Sequence, residues 1–451
     1  MQLGVDVGTS RLRACWASTL LGAGPADWAP HNHRTLETPA WISIRLGESG
    51  VLGAESAVCV GHDALSVCQE PSFVEEWQRG RSVAWPRFPR DAQLHPENFA
   101  EAIYLLWDRW LKPMVADQKR CSRVILTASP VRERLLAQAL AGFSTSIPVT
   151  TIPDYFAAYL SVEPPSGAEE RVLHIDCGAE AFRFTLFRTW REGRESWVML
   201  EEMSELRELG RQNLAAAACL PVGEARSEGV PGLSFWQAME EQETIGADKD
   251  EGVPPAVRVG LDRASSRVEA LLDRLSGSGR LPDLVLVNPD AGLRLSGDLP
   301  CPIKTLDRFA PARGAALVGQ DVTESVHVFC PGALFLLIEG RAPILLVRSE
   351  DLSCIGHSGA EFGDRYPRAQ TEEIDAQLAW GPTEGAGQYL PLGSLRLATG
   401  MTTAEVAIGC SVQRRGHLLF GDLWALDPLA EKQESAPWSL DLSQWSYWTA
   451  K

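Results

Sequence analysis

One unit occurs twice in this chain, and it limits the fold more than any other feature. In MQLGVDVGTSRLRACW (1–16), Leu3, Val5 and Val7 alternate with small residues as a strand does. Asp6, Gly8, Thr9 and Ser10 follow as a tight turn, and Leu12 to Trp16 read as the return strand. RVLHIDCGAEAFRFTLFRTW (171–190) repeats the layout, two strands around a Gly-Ala turn with Asp176 before it. In the first copy the acid can position a cation and its waters. Gly8 lets the backbone approach an anion, and backbone N–H groups with the Thr9 and Ser10 hydroxyls can bond phosphate oxygens. An ordinary glycine-turned edge hairpin has the same local sequence, so the weight falls on the repeat and its surroundings.

Those surroundings read as α/β up to residue 320. TPAWISIRL (38–46) and SRVILTASP (122–130) read as strands, and VCVGHDALSVC (58–68) as a strand turning into a short helix. HPENFAEAIYLLWDRWLKP (95–113), VRERLLAQALA (131–141), DYFAAYLSV (154–162) and RASSRVEALLDRLSGSGRL (263–281) read as helices. LPDLVLVNPDAG (281–292) reads as a buried strand with a turn, and FAPARGAALVGQ (309–320) as a small-residue helix. Strands alternating with helices predict mostly parallel sheets covered on both faces. The pattern changes after DVTES (321–325): short period-two runs between Gly and Pro turns predict an all-β sandwich. The expected division is 1–165 and 166–320 as two lobes, 321–325 as linker, 326–430 as sandwich and 431–451 as tail.

Composition excludes several classes. The 451 residues carry a net charge of -17, which argues against nucleic-acid and anionic-membrane partners. No apolar run approaches the ~20 residues of a membrane helix, and the N-terminus enters a strand without a signal-peptide pattern. The ten cysteines form no CxxC pair, and most lie in apolar runs, so they read as reduced core residues of a cytoplasmic protein. Histidine spacing suggests no metal site.

In order along the chain, GVDVGTS (4–10), TPAWISI (38–44), VGHDA (60–64), VILTASPVRERLLAQALA (124–141), IDCGAEAFRFTLF (175–187), LPDLVLVNPD (281–290), FAPARGAALVGQ (309–320) and the strands of 392–421 resemble the DnaK-type chaperones of the heat-shock-protein-70 family. The resemblance implies an actin-like α/β ATPase fold, two lobes built from duplicated ribonuclease-H-like units, followed by a β-sandwich like the family's substrate-binding domain. It implies a Mg-ATP or Mg-ADP site at Asp6, Gly8, Thr9, Ser10, Asp176, Gly178 and Gly314. It also implies a slot for an extended apolar peptide, whose lining would include Ile338, Tyr366 and Ile374; the same three residues suit plain sandwich core equally well.

The departures from the family pattern concern the nucleotide. The family's second phosphate loop is Asp-x-Gly-Gly-Gly-Thr-Phe-Asp; here Asp176 to Arg183 reads DCGAEAFR. Two glycines and the hydroxyl are gone, Glu180 adds negative charge, and the final acid is Arg183. Asn288 and Pro289 replace the glycine pair of the adenosine strand. The acid expected before the helix at 154 falls at Pro153. The segment SFVEEWQRGRSVAW (72–85) has no lysine for an attacking water, only Arg79 and Arg81. Phosphoryl transfer depends on positioned cations and donors, each contributing ~10²-fold or more, so these losses predict a pseudo-ATPase whose remaining loop residues are vestigial.

Three functions follow as expectations: a chaperone-like protein-binding protein with a degenerate nucleotide site, an active ATP-dependent chaperone with a substituted site, or an actin-like assembly scaffold. A sugar kinase leaves the sandwich unexplained. The family's helical lid has no counterpart in residues 427–451. The segment carrying Leu440, Leu442, Trp445, Tyr447 and Trp448 is expected to dock on its own domain or on a partner.

Overall fold

The computed structural model describes residues 1–8, 11–18, 22–25, 37–46, 57–79, 81–85, 108, 111–112, 121–128, 147–162, 168–178, 181–210, 255–287, 301–318, 325–329, 332–338, 341–348, 351–352, 359–367, 374–381, 389–397, 405–415, 418–427, 432–441 and 448–450. They form two compact units: 1–185 with 204–325 and 450–451, and 186–203 with 326–449.

The first unit opens with β1 (Gln2–Val7), β2 (Arg11–Ser18), β3 (Gly22–Pro25) and β4 (Glu37–Pro39). The strand expected over 38–46 is broken. Pro39 has no N–H to continue a ladder, and Trp41 is fully buried. It packs in a small core with Phe73, Ala64 and Cys68. Thus β4 pairs with β2, whereas β5 (Ile42–Arg45) joins β6 (Ala57–Val60) and β7 (Ser82–Trp85) in a separate three-stranded sheet. Helices α1 (Gly61–Cys68) and α2 (Pro71–Gln78) lie between β6 and β7 in sequence.

β8 (Arg123–Ala128) and β9 (Val149–Pro153) complete the first main sheet, in the order β3-β2-β1-β8-β9. β1 and β2 are antiparallel; β1, β8 and β9 run parallel. Helix α3 (Asp154–Leu160) follows, then β10 (Glu170–Cys177), β11 (Phe182–Glu192), β12 (Glu195–Leu206), helix α4 (Pro255–Gly277), β13 (Leu284–Val287) and β14 (Ile303–Thr305). The second sheet contains the order β12-β11-β10-β13-β14, with β10, β13 and β14 parallel. With the strands of each path counted from the first in its half, both sheets run third, second, first, fourth, fifth. The repeat seen in the hairpins therefore extends to the topology. Helix α4 begins earlier than its sequence pattern suggests and buries Ala264, Val268, Leu272 and Leu275, one stripe at helical spacing.

Helix α5 (Ala310–Leu317) crosses both β1 and α3 at backbone contact. A Cβ on Gly4 would lie 2.1 Å from the Ala312 carbonyl oxygen, and one on Gly314 would lie 1.6 Å from that of Ala157. Glycine at both positions is what lets the helix seat. Cys15, Ala17, Phe309, Ala312 and Ala316 form the core beneath it.

In the second unit, β15 (Ser325–Phe329), β16 (Ala333–Ile338), β17 (Ile344–Val347), β18 (Ala360–Pro367), β19 (Ile374–Gly381), β20 (Leu390–Leu397), β21 (Glu405–Arg415), β22 (Leu418–Asp427) and β23 (Lys432–Asp441) follow, with a last short β24 (Trp448–Ala450). Two four-stranded sheets, β17-β16-β19-β20 and β18-β21-β22-β23, share one core. The tip of the β11–β12 hairpin enters that core through Trp190, Trp197 and Met199. Trp190 stacks on Trp197, and Trp197 on His327, at centroid distances of 6.3 and 4.2 Å. Within the stretch expected as tail, 432–441 is a full sheet strand that places Trp438 and Leu440 in the core. The helices expected at 95–113 and 131–141 fall largely or wholly outside the described residues.

Candidate functional site

Antiparallel register places Asp6, near the end of β1, directly opposite Arg13 of β2, and Arg13 opposite Glu37 of β4. Residues paired across a ladder share a face, so the three side chains form a row. Arg13 donates from Nε to Glu37 Oε2 at 2.9 Å, and its Nη1 lies 3.6 Å from Asp6 Oδ2. Arg11 also pairs with Glu37, as does Arg308 at 3.2 Å. One carboxylate therefore anchors three guanidiniums.

The second hairpin repeats the row. Arg183 of β11 donates from Nε to Glu205 Oε1 of β12 at 2.9 Å, and its Nη1 lies 3.5 Å from Asp176 Oδ2 at the end of β10. The same Nη1 donates to Asp154 Oδ2 at 3.1 Å. Here one guanidinium anchors three carboxylates. The turns match as well. A Cβ on Gly8 would lie 2.7 Å from the Arg11 carbonyl oxygen, and one on Gly178 would lie 3.0 Å from that of Ala181, three residues on in each case.

The halves meet through the pairs Arg183–Asp154 and Arg308–Glu37, and their acids also act on one another. Burial pushes Asp6 up to about 7; Arg13 opposes the shift, and the charges of Asp154 and Asp176 add to it. Asp154 is raised by burial against the pull of Arg183. Burial also works on Glu37 and Arg183, but their partners outweigh it. Arg13, Arg11 and Arg308 hold Glu37 below the usual carboxylate range, and Asp154, Asp176 and Glu205 hold Arg183 above its ordinary value. His174, two residues before Asp176, is buried and pushed down to about 4, chiefly by burial. It is neutral at pH 7, and among the described residues its Nε2 has no hydrogen-bond partner.

Asp154 adds an acid that the sequence reading did not single out. It is the first residue of α3, next to Pro153, where it accepts from the Tyr155 N–H at 2.7 Å and reaches Arg183. Pro153 holds the extended geometry from which the helix starts. Asp6 and Asp176 lie near the ends of β1 and β10, and Gly8 and Gly178 follow them, whereas Thr9 and Ser10 lie outside the described residues, as do Glu180, Asn288 and Pro289. Gly314 serves the α3–α5 crossing. Arg79, 66% exposed in its side chain, pairs with Glu75 on its own helix at 3.6 Å.

Of the expected peptide-binding residues, Ile338 is buried in the sandwich core. Its strand β16 neighbours β19, which carries Ile374, while Tyr366 stands on β18 of the other sheet. The side chains of Tyr366 and Ile374 lie outside the described set.

Arg13, Glu37, Asp154 and Glu205 are the site residues that reading by motif passes over. The signal for the arginines is a second-order repeat: Asp-x-Gly-x-x-x-x-Arg occurs at 6–13 and again at 176–183.

No protein-family model matches the chain, and a search of curated proteins finds no similar sequence. Among the described residues, those around Asp154 and Asp176 do not fit the Mg ion of the nucleotide that the resemblance implies. Arg183 Nη1 faces one oxygen of each acid, Asp154 Oδ2 at 3.1 Å and Asp176 Oδ2 at 3.5 Å, so a guanidinium stands where a cation would. Among the described residues, no group of three His, Cys, Asp or Glu side chains is arranged to hold a metal.

Proposed function

We propose that this chain is a chaperone-like protein-binding protein whose ATPase site has become a structural ion-pair cluster. Arg183 carries the reading. In the phosphate loop that the resemblance identifies, it is bonded to both acids that a phosphate-bound cation would need. Phosphoryl transfer requires cationic groups free to neutralise charge developing on phosphate oxygens. Both ladder arginines are instead committed to carboxylates. Binding is then the work of the sandwich, which would take a protein segment or extended apolar peptide, without nucleic acid and without membrane insertion. Among the described residues, no helix is long and apolar enough to cross a membrane.

Calorimetric titration of the full chain with Mg-ATP, with phosphate release followed in parallel, tests the nucleotide half. The expected result is no binding heat and no turnover above background. Turnover that falls on Asp6→Asn would establish instead an active ATPase with a substituted site, the reading favoured by the convergence of Asp6, Asp154 and Asp176. Fluorescence anisotropy with labelled extended apolar peptides tests the binding half. Saturable binding is expected, and its absence together with concentration-dependent filaments would point to an assembly scaffold.

A further inference from the structure

We propose that Arg13 and Arg183 are a duplicated pair of internal counter-cations, one per half, which take over the charge-neutralising role of a metal ion and make the fold independent of divalent cations. The two ladders agree in five respects: an Asp before a Gly turn, an Arg seven residues later, an Nε bond to a Glu, its length, and an Nη1 contact back to the Asp. The Nε bonds are both 2.9 Å, and the Asp contacts are 3.6 and 3.5 Å. The two Glu residues come from strands beside β2 and β11, so the agreement is one of architecture and not only of local sequence.

The charge balance fits. The two rows and their immediate partners hold Asp6, Glu37, Asp154, Asp176 and Glu205 against Arg11, Arg13, Arg183 and Arg308. In these pairs of described residues five acids face four guanidiniums, and Asp6 is the acid that burial inclines to keep its proton. A cluster near neutrality gains little from a divalent ion. The ion would have to displace a nearly buried guanidinium from Asp154 and Asp176 and leave it only Glu205, which is unfavourable. A bound metal elsewhere supplies the largest local charge of a site; here the chain supplies it covalently.

The test uses the full chain and Mn2+ alone. It contains no nucleotide and no peptide, so its outcome is separate from that of the function proposed above. Free Mn2+ is read by electron paramagnetic resonance, and Tm is measured in EDTA and in Mn2+. Wild type is expected to leave Mn2+ free and to show the same Tm in both. Arg183→Met is expected to bind Mn2+ at least tenfold more tightly than wild type and to recover several degrees of Tm on its addition. Arg183→Met combined with Asp176→Asn is expected to lose that gain. Arg183→Lys, which keeps a positive charge in the row, is expected to keep Mn2+ out. If Arg183→Met does not fold in EDTA, refolding into Mn2+ becomes the readout, and recovery there supports the proposal. Wild type that binds Mn2+ or gains Tm from it overturns the proposal. So does an Arg183→Met chain that neither binds Mn2+ nor recovers in it.

Discussion

The two halves of the first unit build the same row with inverted stoichiometry. Around Glu37, three guanidiniums share one carboxylate; around Arg183, three carboxylates share one guanidinium. Each centre alone is unbalanced, positive in the first half and negative in the second. Asp176 of the second half and Asp154, which follows the last strand of the first sheet, are near enough to act on Asp6. The difference teaches that the two halves share a frame of strand, turn and arginine, while the other residues around each arginine set the sign of its centre. Arg11 and Arg308 supply the positive surplus, and Asp154, from the start of α3, supplies much of the negative.

Removing the hub with most dependants breaks the comparison hardest. Arg183→Met leaves Asp154, Asp176 and Glu205 without their shared guanidinium in a site that is nearly closed to water. Loss of one partner of a buried ion pair costs about 3–5 kcal/mol. Urea unfolding at neutral pH is expected to show a loss in that range. A loss below about 1 kcal/mol would mean that the second row does not hold the fold.

Glu37→Gln breaks the opposite hub. Arg11 and Arg13 remain buried beside an uncharged amide, but Arg308 is half exposed and returns to water at little cost. The expected loss is about 3 kcal/mol, below that of Arg183→Met, because only two guanidiniums stay desolvated. Equal losses at the two hubs would show that exposure at Arg308 makes no difference. A double-mutant cycle over Arg13 and Glu37, set beside one over Arg183 and Glu205, measures the two matched Nε bonds directly.

Asp6 links the halves, and its effect depends on pH. Its pKa is raised from 3.8 to about 7 in the folded chain. Between those values the folded state holds a proton that the unfolded state has lost, so this group's contribution to stability falls as pH rises through the window. Asp154 acts in the same direction. His174, lowered from 6.5 to about 4, acts oppositely over its own window, since there the unfolded state binds the extra proton. Glu37, lowered, contributes stability that disappears only as pH falls through its folded value. Asp6→Asn removes the first contribution alone. Relative to wild type, the variant is expected to gain about 2 kcal/mol between roughly pH 5 and pH 8, taking ~1.4 kcal/mol for each tenfold change in proton affinity and discounting for relaxation. A stability difference that stays flat with pH would show that Asp6 is ionised throughout.

Much of the frame is legible in the sequence because it rests on periodicity. The paired hairpins, the buried strands β8 and β13, the glycine-bearing helix α5 and the period-two strands of the second unit each carry a pattern that burial imposes on neighbouring residues. The ion-pair rows are legible only in the spacing of their Asp and Arg, not in their Glu partners. Glu37 and Glu205 are charged residues inside strands, with nothing in their local sequence to distinguish them from solvated positions, and only strand pairing brings them to the arginines. Arg183 shows in the sequence as a missing acid and not as a present cation. A motif read against an expected template reports what is lost, whereas the strand geometry of β10 and β11 reports what replaced it. Asp154 escapes sequence reading for a simpler reason: at a strand-to-helix junction the residue facing the site depends on where the helix starts, and local sequence defines that point poorly.

The smallest expected effect serves as the control for the whole comparison. Arg79 is the cation that a substituted ATPase would recruit in place of the absent lysine. In the structure it sits exposed in a pair with Glu75, four residues earlier in the chain. Exposed pairs of this kind contribute about 0.3–0.5 kcal/mol. Arg79→Ala is therefore expected to change stability by no more than that, and to leave Mg-ATP heats and phosphate release where wild type has them. Wild-type turnover that disappears in Arg79→Ala would mean that this arginine leaves Glu75 for the carboxylate cluster in the working state. The cluster would then be a catalytic centre held closed by Arg183, and the inverted stoichiometry of the two halves would be one conformation of an active site.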